Sequence, residues 1–169
     1  MSETIRNKIS ESGIININIS DFMPKNEVKG IDLKDWLVDD LIIREQDFKE
    51  KLKSFDLESF KDKNVFIYCS VDVIIPIWAF LLLQVKLNKL AKFIFFGTKN
   101  EMNLSLFQQS VESRLNTSEF KNKRVFIKGC GDPSLQLGFY SIVSQKLTPV
   151  VKSLFYGEAC SNVPLIKNM

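Results

Sequence analysis

Two hydrophobic periods alternate along the chain. Short, continuous runs of β-branched and aromatic residues occur at 65–69, 93–96, 125–128 and 154–156. Runs of this length suit strands buried on both faces of a parallel sheet. Between the first pair lies a longer apolar stretch, about 72–90, and between the second pair another, about 132–151. Both predict helices, so the pattern reads strand, helix, strand, twice over. Such connections within one sheet are right-handed crossovers in nearly all cases. A further helix over 102–115 would join the two, giving four principal strands.

The two halves also share letters. Phe60-Lys61-Asp62-Lys63-Asn64-Val65-Phe66-Ile67 and Phe120-Lys121-Asn122-Lys123-Arg124-Val125-Phe126-Ile127 are nearly the same string, 60 residues apart. The register holds without a gap: Asp72 meets Asp132, Lys86-Leu87 meets Lys146-Leu147, and Lys92 meets Lys152. Phe95-Phe96-Gly97 then meets Phe155-Tyr156-Gly157. Self-similarity at a fixed offset predicts a tandem duplicated β-α-β unit. The expected fold is α/β, a mainly parallel sheet flanked by helices, with an N-terminal α+β elaboration.

The first sixty residues follow other rules. Ile5 and Ile9 suit a short helix ending at Gly13. Ile15-Asn16-Ile17-Asn18-Ile19 alternates like a half-exposed edge strand. Asp32-Leu33-Lys34-Asp35-Trp36-Leu37 resembles a capped helix start, and 46–55 is amphipathic, with Phe48, Leu52 and Phe55 on one stripe. Asp132-Pro133 reads as an N-cap followed by proline at the first helical position, with Asp72 in the equivalent place. Pro76 would then fall near the end of the first turn. No linker separates these parts, so 1–169 is expected as a single domain: elaboration 1–59, first repeat 60–98, connecting helix 99–119, second repeat 120–158, tail 159–169.

Composition narrows the function. An apolar fraction of 45% and a charged fraction of 25% are those of an ordinary globular protein. The longest apolar run, 73–83, is too short to span a bilayer and contains Pro76. Residues 1–13 lack the apolar core of a secretory signal. Net charge is +3, with lysines interleaved among acids as in Lys49-Glu50-Lys51. A nucleic-acid binder would concentrate them in a basic stripe. With no histidine in the chain, neither a Ser-His-Asp nor a Cys-His arrangement can be built. Three cysteines, an odd number, argue for reduced thiols in the cytoplasm rather than a disulfide framework.

Those cysteines are the candidate chemistry. Ligands of parallel α/β sheets bind beyond the carboxyl ends of the strands. Cys69 ends the first strand of one repeat, Cys130 follows the first strand of the other, and Cys160 follows the last strand. All three are therefore expected at one sheet edge. Thiolates suit soft metals and iron–sulfur clusters, and Asp72, Asp132 or Glu158 could supply a fourth ligand to zinc. No CxxC pair is present. Packing as small apolar side chains remains the alternative for the thiols, and helix capping for the aspartates. Gly129 and Gly131, flanking Cys130, could present backbone amides to an anion, a weak signal matching no phosphate-binding fingerprint. Trp78, Phe80, Phe139 and Tyr140 are expected in the core rather than as a stacking platform.

Ser12-Gly13-Ile14-Ile15, Asp21-Phe22 with Pro24, the 32–37 segment and Cys69-Ser70 with Asp72, Pro76 and Trp78-Ala79 carry a resemblance that runs nearly end to end. Lys128-Gly129-Cys130, Gly157-Glu158-Ala159-Cys160-Ser161 and Val163-Pro164-Leu165 complete it. The chain is similar to a family of small bacterial proteins described as a domain of unknown function. That resemblance implies family cysteines at Cys69, Cys130 and Cys160, a proline where Ala159 stands, and gene neighbours in iron–sulfur cluster assembly. Three readings follow. One is an accessory factor binding an iron–sulfur cluster or zinc through the cysteines, with iron–sulfur assembly proteins as partners and neither nucleic acid nor membrane. Another is a non-catalytic interaction module, meeting a partner through the elaboration or through Val163-Pro164-Leu165. A third is a small-molecule enzyme with Cys69 or Cys130 as nucleophile, activated by a helix terminus or Lys128.

Overall fold

The computed structural model describes residues 13–128, 136–158 and 160–167. In chain order these form β1 (Ile14–Asn18), β2 (Val28–Asp32), α1 (Glu45–Ser54), β3 (Asn64–Tyr68), α2 (Ile77–Leu87) and β4 (Phe93–Phe96). There follow α3 (Lys99–Arg114), β5 (Arg124–Lys128), α4 (Leu137–Leu147), β6 (Ser153–Glu158) and β7 (Ser161–Lys167). The architecture is α/β with largely parallel strands, as the pattern predicts. The strands form two sheets, not one: three parallel strands in the order β2-β3-β4, and four in the order β1-β5-β6-β7. Among the described strands the β6–β7 pair alone is antiparallel.

The chain divides accordingly into two compact units, residues 25–103 around the first sheet and residues 1–24 with 104–169 around the second. The N-terminal segment is not a separate layer. It contributes β1 to one sheet and β2 to the other, each pairing in parallel with that unit's leading strand. A two-stranded β-α-β unit is marginal by itself, and a third strand gives each sheet enough width to bury its apolar face.

In the three-stranded unit Ile31, Val65 and Ile67 project from the sheet into a core with Ala79, Leu83 and Leu87 of α2 and Phe48 and Leu52 of α1. Trp36 closes it, its ring 4.7 Å from Phe48. The other face of β3 carries Phe66 and Tyr68, stacked and half-buried, so this strand is fully covered on one face only. Gly30 of β2 lies under Phe66: a Cβ there would stand 2.5 Å from the ring.

The four-stranded unit has its own core. Ile17, Val125, Ile127 and Leu154 meet Phe107 and Val111 of α3 and Phe139, Val143 and Leu147 of α4. β1 is an edge strand, as its alternation predicts, with Ile17 inward. Phe139 is buried, while Trp78, Phe80 and Tyr140 pack half-buried against their cores.

Particular hydrogen bonds recur at an offset of 60. The amide of Asp62 donates to the Leu90 carbonyl and that of Asn122 to the Val150 carbonyl, both at 2.9 Å. The Lys92 amide donates to Lys63 at 2.9 Å, and the Lys152 amide to Lys123 at 2.8 Å. Asp62 and Asn122 share a left-handed backbone, φ 60° and 59°.

Three local expectations shift. The central helices begin at Ile77 and Leu137, four residues later than N-caps at 72 and 132 would place them. Pro76 takes the N-cap position of α2 with an extended backbone, ψ 138°, and Asp72 lies ahead of the helix. A residue preceding proline is pushed away from helical angles, so Ile75 cannot carry the helix backwards. Asp32 caps a 3-10 turn, Leu33–Trp36, rather than an α-helix, accepting from the Lys34 amide. The expected helix around Ile5 and Ile9 and the Asp132-Pro133 cap lie outside the described residues.

Candidate functional site

At the carboxyl end of the three-stranded sheet Asp32 is the organising side chain. It ends β2, and its carboxylate accepts from the Lys34 amide at 2.9 Å and the Ser70 amide at 3.0 Å. The Ser70 and Tyr68 hydroxyls donate to it as well. Partial burial pushes its pKa up, but these donors outweigh that and hold it below the ordinary carboxylate value. Burial first, and then the Asp32 charge, push Tyr68 above the usual tyrosine value. Asp32 thus ties the end of β2 to the segment leaving β3. Its oxygens are engaged in holding backbone, which is a positioning role.

The four-stranded unit has Asn18 in the corresponding place, its side chain accepting from the Ser20 amide at 3.3 Å. Beside it, Lys128 at the end of β5 pairs with Glu158 at the end of β6, 2.7 Å apart. Gly157 then lets the chain reverse into β7. Its φ of +111° belongs to glycine, and a Cβ there would stand 2.5 Å from the Ser161 carbonyl oxygen. The Asn162 side chain donates to the Glu158 carbonyl at 3.2 Å across the same turn.

The cysteines divide between these places. Cys69 follows β3 in the three-stranded unit, half-buried against its core. Cys160 is exposed in the turn between β6 and β7 of the four-stranded unit. Cys130, with Gly129, Gly131 and Asp132, lies outside the described residues. Among the described residues no three Cys, Asp or Glu side chains gather as metal ligands. Glu158 is engaged by Lys128, and Asp72 sits in the loop before α2.

A groove of about 530 Å³ opens in the four-stranded unit between α4 and the β6–β7 pair. Ile127 and Tyr156 form its floor, Tyr140 and Ser141 its helical wall, and Leu165 its far side. The Tyr140 and Tyr156 rings meet edge to face at 5.6 Å. Leu137 stands at the rim, 83% exposed. Hydroxyls on the helical wall are turned inward: Ser144 donates to the Ser141 carbonyl at 3.0 Å, and the Ser141 hydroxyl accepts from Gln145 at 2.9 Å. The surface left to a ligand is predominantly apolar.

A family model described as a protein of unknown function, DUF2480, matches residues 3–168. The chain belongs to the DUF2480 family. No curated protein and no solved structure matches it. Membership of DUF2480 therefore brings no reaction and no residue roles, and the functional argument rests on this chain's own geometry. No helix among the described residues is long and apolar enough to cross a membrane.

For this DUF2480 chain, sequence reasoning missed the groove. Tyr140 and its buried neighbour Phe139 are both aromatic, and periodicity does not say which flank of a helix lies open. The usable signal was in the tail. Val163 and Leu165 alternate with polar Asn162 and with Pro164 and occupy one face of β7. Proline suits an edge strand, where its missing N–H faces no neighbour.

Proposed function

We propose that the protein is a non-catalytic interaction module of the cytoplasm, and that the groove between α4 and β7 holds an apolar segment of a partner protein. The observation that supports this is the predominantly apolar groove with Leu137, Val163 and Leu165 exposed around it. Single exposed aliphatic residues are ordinary, but a contiguous set lining a concavity marks a binding surface. With its serine hydroxyls engaged within α4, the groove suits aliphatic or aromatic side chains better than a polar metabolite. The matched hydrogen bonds at Asp62 and Asn122, and at Lys92 and Lys152, support a tandem duplication behind the two units. In that account the β7 hairpin is the addition that turned one copy into a receptor.

A photo-crosslinking residue placed at position 137 in the full chain tests the module. One discrete protein adduct in cells, lost when Tyr156→Asp is added and absent from a probe at exposed Lys49, is the expected result. No adduct beyond that of the Lys49 probe would overturn the reading.

One adjacency favours a second reading. β5 and β6 are neighbours, Cys160 lies in the turn after β6, and Cys130 comes two residues after β5 in sequence. Thiols following adjacent parallel strands suit a zinc ion or an iron–sulfur cluster, with iron–sulfur assembly proteins as partners. Anaerobic purification with iron, zinc and sulfide analysis addresses it. Bound metal that disappears in Cys130→Ser supports it. Metal-free protein that takes up nothing on reconstitution removes it.

A further inference from the structure

We propose that a cleft at the amino end of the four-stranded sheet binds the phosphate group of a soluble small molecule, through Arg124, Lys152, Ser153 and Lys167. The register brings three of these into one row. Arg124 pairs with Ser153, and Ser153 with Lys167, across β5, β6 and β7. Residues paired across strands share a sheet face, and neighbouring strands lie about 4.8 Å apart. Arg124 and Lys167 therefore flank Ser153 on either side. Lys152, one residue before β6, adds a third cation, and Phe155 completes the lining of a cleft of about 350 Å³. The adjoining residues Val125, Leu154 and Ile166 pack into the helical core. The row thus lies on the opposite face of the sheet from the groove.

Ser153 is the observation that points to a ligand. The residue is only 6% exposed, yet among the described residues its hydroxyl has no hydrogen-bond partner. Buried hydroxyls are normally paired. No fully buried side-chain oxygen in the described residues goes unpartnered, so the Ser153 hydroxyl must reach the surface of the cleft. The cations beside it are uncommitted too. Among the described residues the ion pairs join Lys49 to Glu45, Lys63 to Glu27 and Lys128 to Glu158. Arg124, Lys152 and Lys167 stand exposed without a carboxylate. The three-stranded unit shows that the fold does not require this row. Its matching register sets Asn64 against Phe93. The lysine before the strand, Lys92, recurs there; the guanidinium, the hydroxyl and the third cation do not.

Charge and shape choose the ligand. A carboxylate brings one negative charge and two oxygens, too little for three cations and a hydroxyl. A phosphate monoester brings nearly two charges and three strong acceptor oxygens. The Arg124 guanidinium can hold two of those oxygens as a fork, and the lysines act as point charges on either side. Phe155 stacks one ring face on Phe126 at 4.7 Å, and its remaining surface borders the cleft. An apolar or ring-bearing portion of the ligand can lie there. The volume is at the lower end for small-molecule sites. A nucleic acid would need a basic track continuing beyond one cleft.

Heteronuclear NMR of the full chain, titrated with phenyl phosphate at constant ionic strength, tests this without any variant. The amides of Arg124, Ser153, Phe155 and Lys167 should shift saturably. Inorganic phosphate should bind the same row more weakly, and acetate should leave it unmoved. Arg124→Gln and Lys167→Gln, both at exposed positions, should each weaken phenyl phosphate about tenfold, the loss of one charge-assisted hydrogen bond. Lys49→Gln, an equal change of charge elsewhere, should bind like the parent. Shifts that do not saturate, an equal response to acetate, or a loss in Lys49→Gln as large as in Lys167→Gln would each overturn the proposal. So would phosphatidic acid vesicles or a single-stranded oligonucleotide engaging the row while phenyl phosphate leaves it unmoved, since the cations would then serve a lipid surface or a nucleic acid.

Discussion

Replacing Asp32 by alanine tests the account of the sheet's carboxyl end. The substitution removes the acceptor for two amides, at Lys34 and Ser70, and for the Tyr68 and Ser70 hydroxyls. Loss of a side-chain cap costs about 1 kcal/mol, and a hydrogen bond to a charged group contributes about 1.5–3 kcal/mol when buried. Because Asp32 is only half-buried, water takes over part of this. The expected cost is about 2 kcal/mol, equivalent to a fall of about 4–8 °C in Tm for a chain of this size. Asp32→Asn retains an acceptor oxygen for the amides and should lose less than half of that. The pH dependence carries a definite sign. The folded pKa of Asp32 lies below its unfolded value. Its contribution is therefore complete above the ordinary carboxylate range and fades as pH falls through about 4 and lower. Urea unfolding of parent and Asp32→Ala at about pH 7 and about pH 3 measures both effects. A cost below about 0.5 kcal/mol at neutral pH, or one that does not shrink in acid, would refute the reasoning. In an NMR titration that follows the Tyr68 ring, its pKa should also shift downward in Asp32→Ala, because the carboxylate charge is one of the causes that raise it.

Other positions give sharper structural outcomes. Gly157→Ala should cost at least about 2 kcal/mol, since φ of +111° is strained for any side chain and the new Cβ meets the Ser161 carbonyl. Differential scanning fluorimetry reads the loss, and faster amide exchange confined to β7 would locate it. Leu83→Ala, on the fully buried face of α2, should cost about 2–5 kcal/mol in urea unfolding. In the turn where the Leu41 amide donates to Val38, Asp39 and Asp40 both hold left-handed angles, φ 53° and 55°. Asp40→Gly should therefore raise stability by about 0.5–1 kcal/mol, measured the same way.

Much of the local structure was legible from letters. The alternation around Ile15 and Ile17 marked an edge strand, and the runs at Val65, Phe93, Val125 and Leu154 marked the parallel strands. The Asp32 cap and the stripe of Phe48 and Leu52 on α1 were also readable, because each depends on neighbours within a few residues. Legibility failed where a distant partner decides. Ile77 and Ala79 are both apolar, and nothing local says that one meets the core and the other solvent.

The candidate site shows the same division. Glycine at 157 could be read as a turn residue, and the tail's Val163 and Leu165 as a surface. That the hairpin leans on α4 to form a groove requires the fold. Grouping three cysteines by strand ends was a topological argument, and it assumed a single sheet. The structure assigns Cys69 and Cys160 to different units.

By itself, then, the sequence determined the elements, their periods, the recurrence at an offset of 60 and the chemistry that a chain without histidine must forgo. These follow from local sterics, amphipathic spacing and composition. The tertiary structure alone decided that the strands divide into two sheets, each completed by a strand from the N-terminal segment. It also decided which apolar faces stay open and that β7 closes one sheet edge while β4, among the described residues, pairs on one side only. The physical reason is that pairing and burial are settled between residues far apart in the chain, where hydrogen-bond satisfaction and removal of apolar surface from water choose among strands that look equally suitable alone.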